Sequence, residues 1–164
     1  RMRESGQKGI QAEKDVAGVI MPPPLLYLLF LLASLGVEYI HPWPVVAAGE
    51  GLQFGWPLVA VGLLLALVCI IGFRRAGTNV PPYQPTTALV TSGPYRYSRN
   101  PMYLGLTLIY LGLSVMMNTT WGFVLAMPLL ALMQRGVIAR EEAYLARKFG
   151  EDYLAYKARV RRWI

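Results

Sequence analysis

The sequence predicts an all-α polytopic membrane protein: about four transmembrane helices and a cytoplasmic C-terminal helical segment. Three observations predict it. The 164-residue chain is 55% hydrophobic and only 15% charged, whereas a typical soluble domain is about 25% charged. Its apolar residues gather into runs approaching the roughly 20 residues that a helix needs to cross ~30 Å of hydrocarbon. All 16 lysines and arginines lie in three blocks outside those runs. The same pattern excludes a disordered chain, a coiled coil and a secreted disulfide scaffold. One cysteine, Cys69, forms no internal disulfide, and one histidine, His41, builds no His/Cys zinc site. No metal is expected.

Residues 1–20 form a polar N-terminal segment of mixed charge. It is unlike a signal peptide, because its polar region is long and the apolar run after it has the length of a full span. No function is assigned to it. Residues 21–164 are expected to form a single membrane domain. The first span covers 21–40 and opens with Pro22-Pro23-Pro24, which suit a first helical turn where the N–H has no partner anyway. The second, 54–73, is uncharged. The third and fourth, 101–117 and 120–134, are short and separated by Asn118-Thr119, which predicts a tight helical hairpin. A cytoplasmic tail, 135–164, follows.

Orientation follows from the basic residues, which favour the cytoplasmic side. They precede the first span, lie between the second and third, and follow the fourth; residues 41–53 and the Asn118-Thr119 turn have none. Four spans with both termini in the cytoplasm account for the pattern. Anionic headgroups likewise account for the net charge of +7, since each basic residue near them gains ~1 kcal/mol. No nucleic-acid module accompanies the charge, and nucleic acid is not an expected partner.

Two cytoplasmic segments carry polar groups that the bilayer does not explain. The first contains Gly93-Pro94-Tyr95-Arg96 and Ser98-Arg99-Asn100-Pro101-Met102-Tyr103-Leu104-Gly105. Gly93-Pro94 signals a turn, and Pro101 suits the start of a helix capped by Asn100 or Ser98. Such a helix start attracts a carboxylate or phosphate, and Arg99 adds a bidentate fork; alternatively, Arg96 and Arg99 hold lipid headgroups. The second segment, from Gln134, predicts a helix of about four turns ended by Gly150 at its C′ position. It carries Glu141 and Glu142, which diverge by about 100°, so at most one is expected to point at a given site. Glu142 lies nearer an inward stripe, Glu141 remains open, and a solvated charged face is the alternative to both. Seven aromatic residues, including Tyr95, Tyr103, Tyr144 and Tyr153, suit either an interfacial belt or a pocket wall. On the apolar side, Gly105 and Gly112 share one face of the third span. Gly122 and Ala126 allow close approach on the fourth, and Pro128 is expected to kink it.

Together the two segments resemble a known pair of motifs. Gly93-Pro94-Tyr95 with Arg99-Asn100-Pro101-Met102-Tyr103-Leu104-Gly105 resembles G-P-Y…R-[HN]-P-x-Y-x-G. Glu141, Glu142, Leu145, Phe149, Gly150, Tyr153 and Tyr156 resemble E-E-x-x-L…F-G-x-x-Y-x-x-Y. These are similar to motifs of the isoprenylcysteine carboxyl methyltransferase and phospholipid methyltransferase superfamily of integral membrane enzymes. The resemblance implies S-adenosylmethionine as cofactor, held between the last two spans and the tail. It implies cofactor-side roles for Gly93, Pro94, Tyr95, Arg99, Asn100, Pro101, Tyr103 and Gly105, and carboxylates near the cofactor from Glu141 and Glu142. Arg99, Glu142 and Arg162 become the candidate catalytic residues, with Arg99 and Arg162 facing the substrate. Asn100 stands where the eukaryotic prenylcysteine enzymes often have histidine; asparagine occurs there in bacterial relatives.

The implied activity is methylation of a heteroatom on a lipophilic acceptor, such as a phospholipid amine or another small apolar substrate, at the cytoplasmic leaflet of a bacterial or archaeal inner membrane. Methyl transfer needs no metal and no covalent enzyme intermediate; alignment and exclusion of water supply much of the rate. A nicotinamide-dependent membrane reductase of the sterol reductase type, which resembles this superfamily in its C-terminal helices, is the enzymatic alternative. A small membrane adaptor is the non-enzymatic one.

Overall fold

A computed structural model describes residues 15–164. Its five helices are α1 (Pro23–Ile40), α2 (Gly51–Arg75), α3 (Pro101–Met116), α4 (Trp121–Leu132) and α5 (Ala139–Arg159), with a 3-10 turn at Gly93–Arg96 and a π turn at Met133–Ile138. The first three match the expected spans within a few residues. α1 and α2 are long and apolar enough to cross a membrane, and so is the helical stretch from Trp121 to Arg159, which is interrupted at Gly150; α3 is apolar but shorter. At 16 residues, α3 extends about 24 Å, less than the ~30 Å hydrocarbon layer.

The bundle has an apolar core into which a few hydroxyl groups are folded, and it also turns large apolar side chains outward, as suits a chain surrounded by lipid. Ser34, Ser114 and Tyr110 are buried, while Leu25, Leu28, Leu63, Leu64 and Leu67 face outward. The inner hydroxyls find local partners: Ser34 donates to the Leu31 carbonyl at 2.7 Å, Ser114 to Tyr110 at 2.8 Å and Tyr110 to Gly122 at 2.9 Å. α3 is central, with α2 on one side and α1 and α4 on the other. Gly105 and Gly112 do share a face, and that face meets α2: a Cβ on Gly62 would sit 2.6 Å from the Gly105 carbonyl oxygen, and one on Gly112 would sit 2.8 Å from that of Gly55. The backbones touch because neither helix has a side chain there. Gly62→Ala is therefore expected to destabilise the protein by about 1–3 kcal/mol through overpacking. Gly36→Ala on α1, where a Cβ meets nothing within 4 Å, serves as the control in a thermal melt in detergent. Equal melting temperatures for the two variants would contradict the packing argument.

Away from the basic end, the connecting segments interlock. Asn118 adopts the left-handed conformation (φ 55°) that closes the α3–α4 hairpin. Its Oδ1 accepts from the amides of Val45 and Val46 at 2.9 Å. Trp121 Nε1 donates to the His41 carbonyl at 2.8 Å, and its ring meets Trp43 edge-on. His41 thus lies at this end, far from the two motif segments.

One local expectation is corrected. Neither Asn100 nor Ser98 caps α3: no side chain bonds its first turn. Asn100 turns its amide toward the C-terminal residues, and Ser98 Oγ accepts from the Asn100 N–H at 3.1 Å. Gly150 breaks the helix as expected, with a positive φ (53°), and a second helical stretch runs on beyond the break to Arg159, where Tyr153 and Tyr156 bury their rings. α4 contains Pro128, and a π turn follows it at Met133–Ile138. There the Ile20 N–H bonds the Gly136 carbonyl at 3.2 Å, and the Ile20 side chain covers the bare Gly136 Cα. Residues 15–20 thus have a structural role that the sequence does not suggest; residues 1–14 lie outside the described residues.

Candidate active site

At the basic end, the 3-10 turn, the start of α3, the first half of α5 and the loop over residues 79–90 enclose a cleft of about 840 Å³, counted out to its open mouth. Tyr95, Arg99, Asn100, Tyr103, Glu141 and Glu142 all line it, so the two sequence motifs converge on one space. Gly93 and Pro94 lie behind Tyr95 on a separate apolar groove against α2. Pro101 is buried as the first residue of α3, Gly105 faces α2, and Arg162 approaches from the irregular C-terminal stretch.

The C-terminal stretch is held here through its backbone carbonyls. After α5 ends, the Arg99 N–H donates to the Arg161 carbonyl at 3.0 Å, and Asn100 Nδ2 donates to the Arg162 carbonyl at 2.9 Å. Trp163 packs against the bundle core. This docking swings the Arg162 guanidinium onto Glu142, with Nε 2.9 Å from Oε1 and Nη2 2.6 Å from Oε2. Arg99 Nη2 reaches the same carboxylate at 3.1 Å and Lys157 Nζ at 3.7 Å. Burial opposes ionisation of Glu142, but the Arg162 hydrogen bonds and the three cations outweigh it and hold its carboxyl below the usual range. One carboxylate against three cations leaves the cluster positive. Arg99 shows where that excess points: it lines the cleft, its side chain is 9% exposed, and its Nε and Nη1 are buried without a partner. Unpaired guanidinium N–H groups of this kind suit an incoming carboxylate or phosphate.

Glu141 does the opposite. Burial pushes its carboxyl up to about 7, and the charge of Glu142 adds to the shift. The Tyr103 hydroxyl donates to Glu141 Oε1 at 2.6 Å and offsets part of it. The expectation that only one of the two glutamates reaches the site fails, because the cleft spans both directions: Glu141 meets α3 and Glu142 meets the arginines. Most of the aromatic set turns inward. Tyr95, Tyr103, Tyr144, Tyr153 and Tyr156 are buried wall residues, while Tyr97 is 76% exposed and remains a surface ring. Tyr156 donates to the Tyr95 carbonyl at 2.8 Å, tying the tail to the 3-10 turn.

Sequence reasoning missed the roof. Residues of the 79–90 loop, among them Pro81, Pro82, Thr86 and Leu89, form one wall of the cleft. The available signal was the length of the connection between the second and third spans, since long irregular connections are usually functional. Its residue types named no chemistry. Among the described residues no cluster of His, Cys, Asp and Glu is arranged to hold a metal ion.

Comparison with known proteins extends the likeness beyond the motifs. A family model described as phospholipid methyltransferase matches residues 51–152, from the start of α2 to just past the Gly150 break. Protein-S-isoprenylcysteine O-methyltransferase of Rattus norvegicus is 35% identical over 128 residues, and that of Mus musculus is 41% identical over 128 residues. Each alignment covers 72% of this chain and 43% of the relative, so the chain spans less than half the length of those enzymes. An uncharacterised protein of Haemophilus influenzae is 38% identical over 63 residues, which is all of that protein and 38% of this chain. Arg162 lies outside the family match, whereas the cleft residues from α2, the roof loop, α3 and the start of α5 lie within it. With the matched region covering more than half its length, and the motifs meeting in one cleft, the chain belongs to the phospholipid methyltransferase family.

Proposed function

We propose that this protein is an integral membrane S-adenosylmethionine-dependent methyltransferase, with residues 21–164 forming one membrane domain. It takes the donor from the cytoplasm and a lipophilic acceptor, a phospholipid amine or another small apolar molecule, from the bilayer. Both termini face the cytoplasm of a bacterial or archaeal cell. The observation that carries this reading is the placement of complementary groups in one cleft. Arg99 has two buried unpartnered nitrogens, and Glu141 presents a carboxyl group on the wall of the same cleft. A zwitterionic amino acid end fits that pair: its carboxylate on Arg99, its ammonium on Glu141.

S-adenosylmethionine supplies an electrophilic methyl group on a positively charged sulfur. The remaining contributions belong to the chain. Glu142 holds Arg99 and Arg162 in place and neutralises part of their charge. Tyr95, Tyr103 and Tyr153 give the cleft rigid aromatic walls that exclude water and accommodate a planar base. Acceptor alignment against these walls converts a bimolecular displacement into a step with a large effective concentration. The family match favours this chemistry over a nicotinamide-dependent reductase.

Isothermal calorimetry of the protein in lipid nanodiscs is expected to show one site for S-adenosylhomocysteine, weakened at least tenfold by Arg99→Ala. Labelled methyl groups should then pass to the extractable lipid fraction or to small apolar acceptors. Absence of binding in several lipids and detergents would overturn the reading.

A further inference from the structure

Tyr144 bears on the site in a way that neither motif describes. Its hydroxyl has one proton to donate and two lone pairs, and all three find partners on different parts of the chain. It accepts from the Thr86 N–H at 3.1 Å and from Lys148 Nζ at 3.1 Å. It donates to Asp15, whose carbonyl lies at 3.0 Å and Oδ1 at 3.2 Å. Thr86 belongs to the roof loop of the cleft, Asp15 to the segment before the first span, and Lys148 to the next turn of α5.

The segment of residues 15–20 is held at both ends. Lys148 Nζ grips both Asp15 carboxylate oxygens, at 2.6 and 2.8 Å. Arg140 Nη1 donates to the Gly18 carbonyl at 2.7 Å, and Ile20 is seated on Gly136. Between these anchors, Ala17 lines the cleft. The roof loop is otherwise braced by its own groups: Thr87 N–H to Thr78 Oγ1 at 2.9 Å, Thr87 Oγ1 to the Gly77 carbonyl at 2.8 Å, and Asn79 Nδ2 to the Pro85 carbonyl at 2.8 Å. These bonds shape the loop without attaching it to α5. Thr86 to Tyr144 makes that attachment. Tyr144 is also one helical turn from Glu141, so the bond that seats the roof acts on the same stretch of helix that presents the carboxylate.

We propose that residues 15–20 and Tyr144 form a clasp that holds the 79–90 loop over the cleft, which makes Tyr144 a positioning residue for the methyl donor. This rests on the functional reading above. The clasp sets how long donor and product stay in the cleft; it takes no part in the displacement itself. An exposed ion pair such as Asp15–Lys148 contributes little alone, so the shared hydroxyl is the component whose loss opens the clasp.

Tyr144→Phe keeps the buried ring and removes only that hydroxyl, and Asp15→Ala removes the outer partner. In nanodiscs, Tyr144→Phe is expected to weaken S-adenosylhomocysteine about five- to tenfold, the effect of about one net hydrogen bond, through faster dissociation. KM for the donor should rise by the same factor, with kcat at saturating donor within about twofold. Asp15→Ala should shift both in the same direction by less. Hydrogen exchange at the Thr86 amide should quicken at least tenfold in Tyr144→Phe. Unchanged Thr86 exchange would overturn the clasp. Faster exchange with unchanged donor affinity, or kcat and thermal stability falling together while KM holds, would overturn the positioning role. A wild-type protein that binds neither donor nor product overturns the functional reading and this donor role with it, and Thr86 exchange still decides whether the clasp exists.

Discussion

Glu142→Ala is expected to lower stability by about 2–4 kcal/mol and to reduce methyl transfer by about 10²–10³-fold. The first figure follows from what remains after the carboxylate is gone. Removing one partner of a buried ion pair costs about 3–5 kcal/mol, because the other charge stays buried and unpaired. Here Arg99 takes that position, with a side chain only 9% exposed. Arg162 and Lys157 are 34% and 43% exposed, so water compensates them in part and the cost falls below the upper figure. The second follows from geometry: without Glu142 the two guanidinium groups repel each other, and displacement of a positioning group by about 1 Å is enough for a 10²-fold loss. Glu142→Gln keeps the shape without the charge and should fall between the variant and the wild type. Thermal melts in detergent and a methyl-transfer assay read the two effects. The pH dependence has a definite sign. The folded-state pKa of Glu142 lies below its ordinary value of 4.5, so its contribution is fully present above about pH 4.5 and is lost as pH falls through the folded value. Melting temperatures of Glu142→Gln and wild type should therefore converge in acid.

Glu141→Gln should separate stability from function. Glu141 holds its proton up to about pH 7 in the folded state, against 4.5 ordinarily. The folded protein therefore binds more protons than the unfolded chain between those values, and stability falls as pH rises through that window. A shift of this size corresponds to roughly 3 kcal/mol. Replacement by glutamine removes the penalty, so the variant without ligand should melt higher than wild type above pH 7 and at a similar temperature near pH 4.5. Affinity for S-adenosylhomocysteine should nevertheless fall by more than tenfold, since the ammonium end loses its counter-charge. In wild type, an ammonium beside Glu141 favours the ionised form, so ligand binding near pH 6 should release protons, detectable as a dependence of binding heat on buffer. A variant that is less stable than wild type at pH 8 and binds product normally would contradict both halves of the argument.

The two glutamates show how far sequence reasoning reaches. Their identity as the site's carboxylates was legible from the Glu141-Glu142 pair with Phe149-Gly150 and the two tyrosines after it. Their unlike chemistry was not. Adjacent residues on a helix differ by about 100°, and what lies in each direction depends on distant segments: Tyr103 for one, Arg99 and Arg162 for the other. Arg162 was legible only by resemblance of the chain end, and its bond to Glu142 depends on backbone pairing of residues 161 and 162 with the stretch before α3. The roof loop and residues 15–20 were unreadable as site elements, since their contacts run largely through backbone groups that every residue possesses. Asn100 was recognised for its position but assigned a capping bond, whereas the available C-terminal carbonyl won its amide.

By itself the sequence determined the solvent this chain is built for, the approximate extents of its spans and the two segments that bear chemistry. Hydropathy, charge placement and proline and glycine act over short stretches, and such local preferences survive without knowledge of the rest. Only the tertiary structure decided which charges meet. It set three cations around Glu142, left Arg99 with nitrogens to offer, buried Glu141 against Tyr103 and drew the roof down onto Tyr144. Each of those outcomes depends on desolvation and on partners between 15 (Lys157 and Glu142) and 129 residues apart, and neither is encoded within reach of a single helical turn.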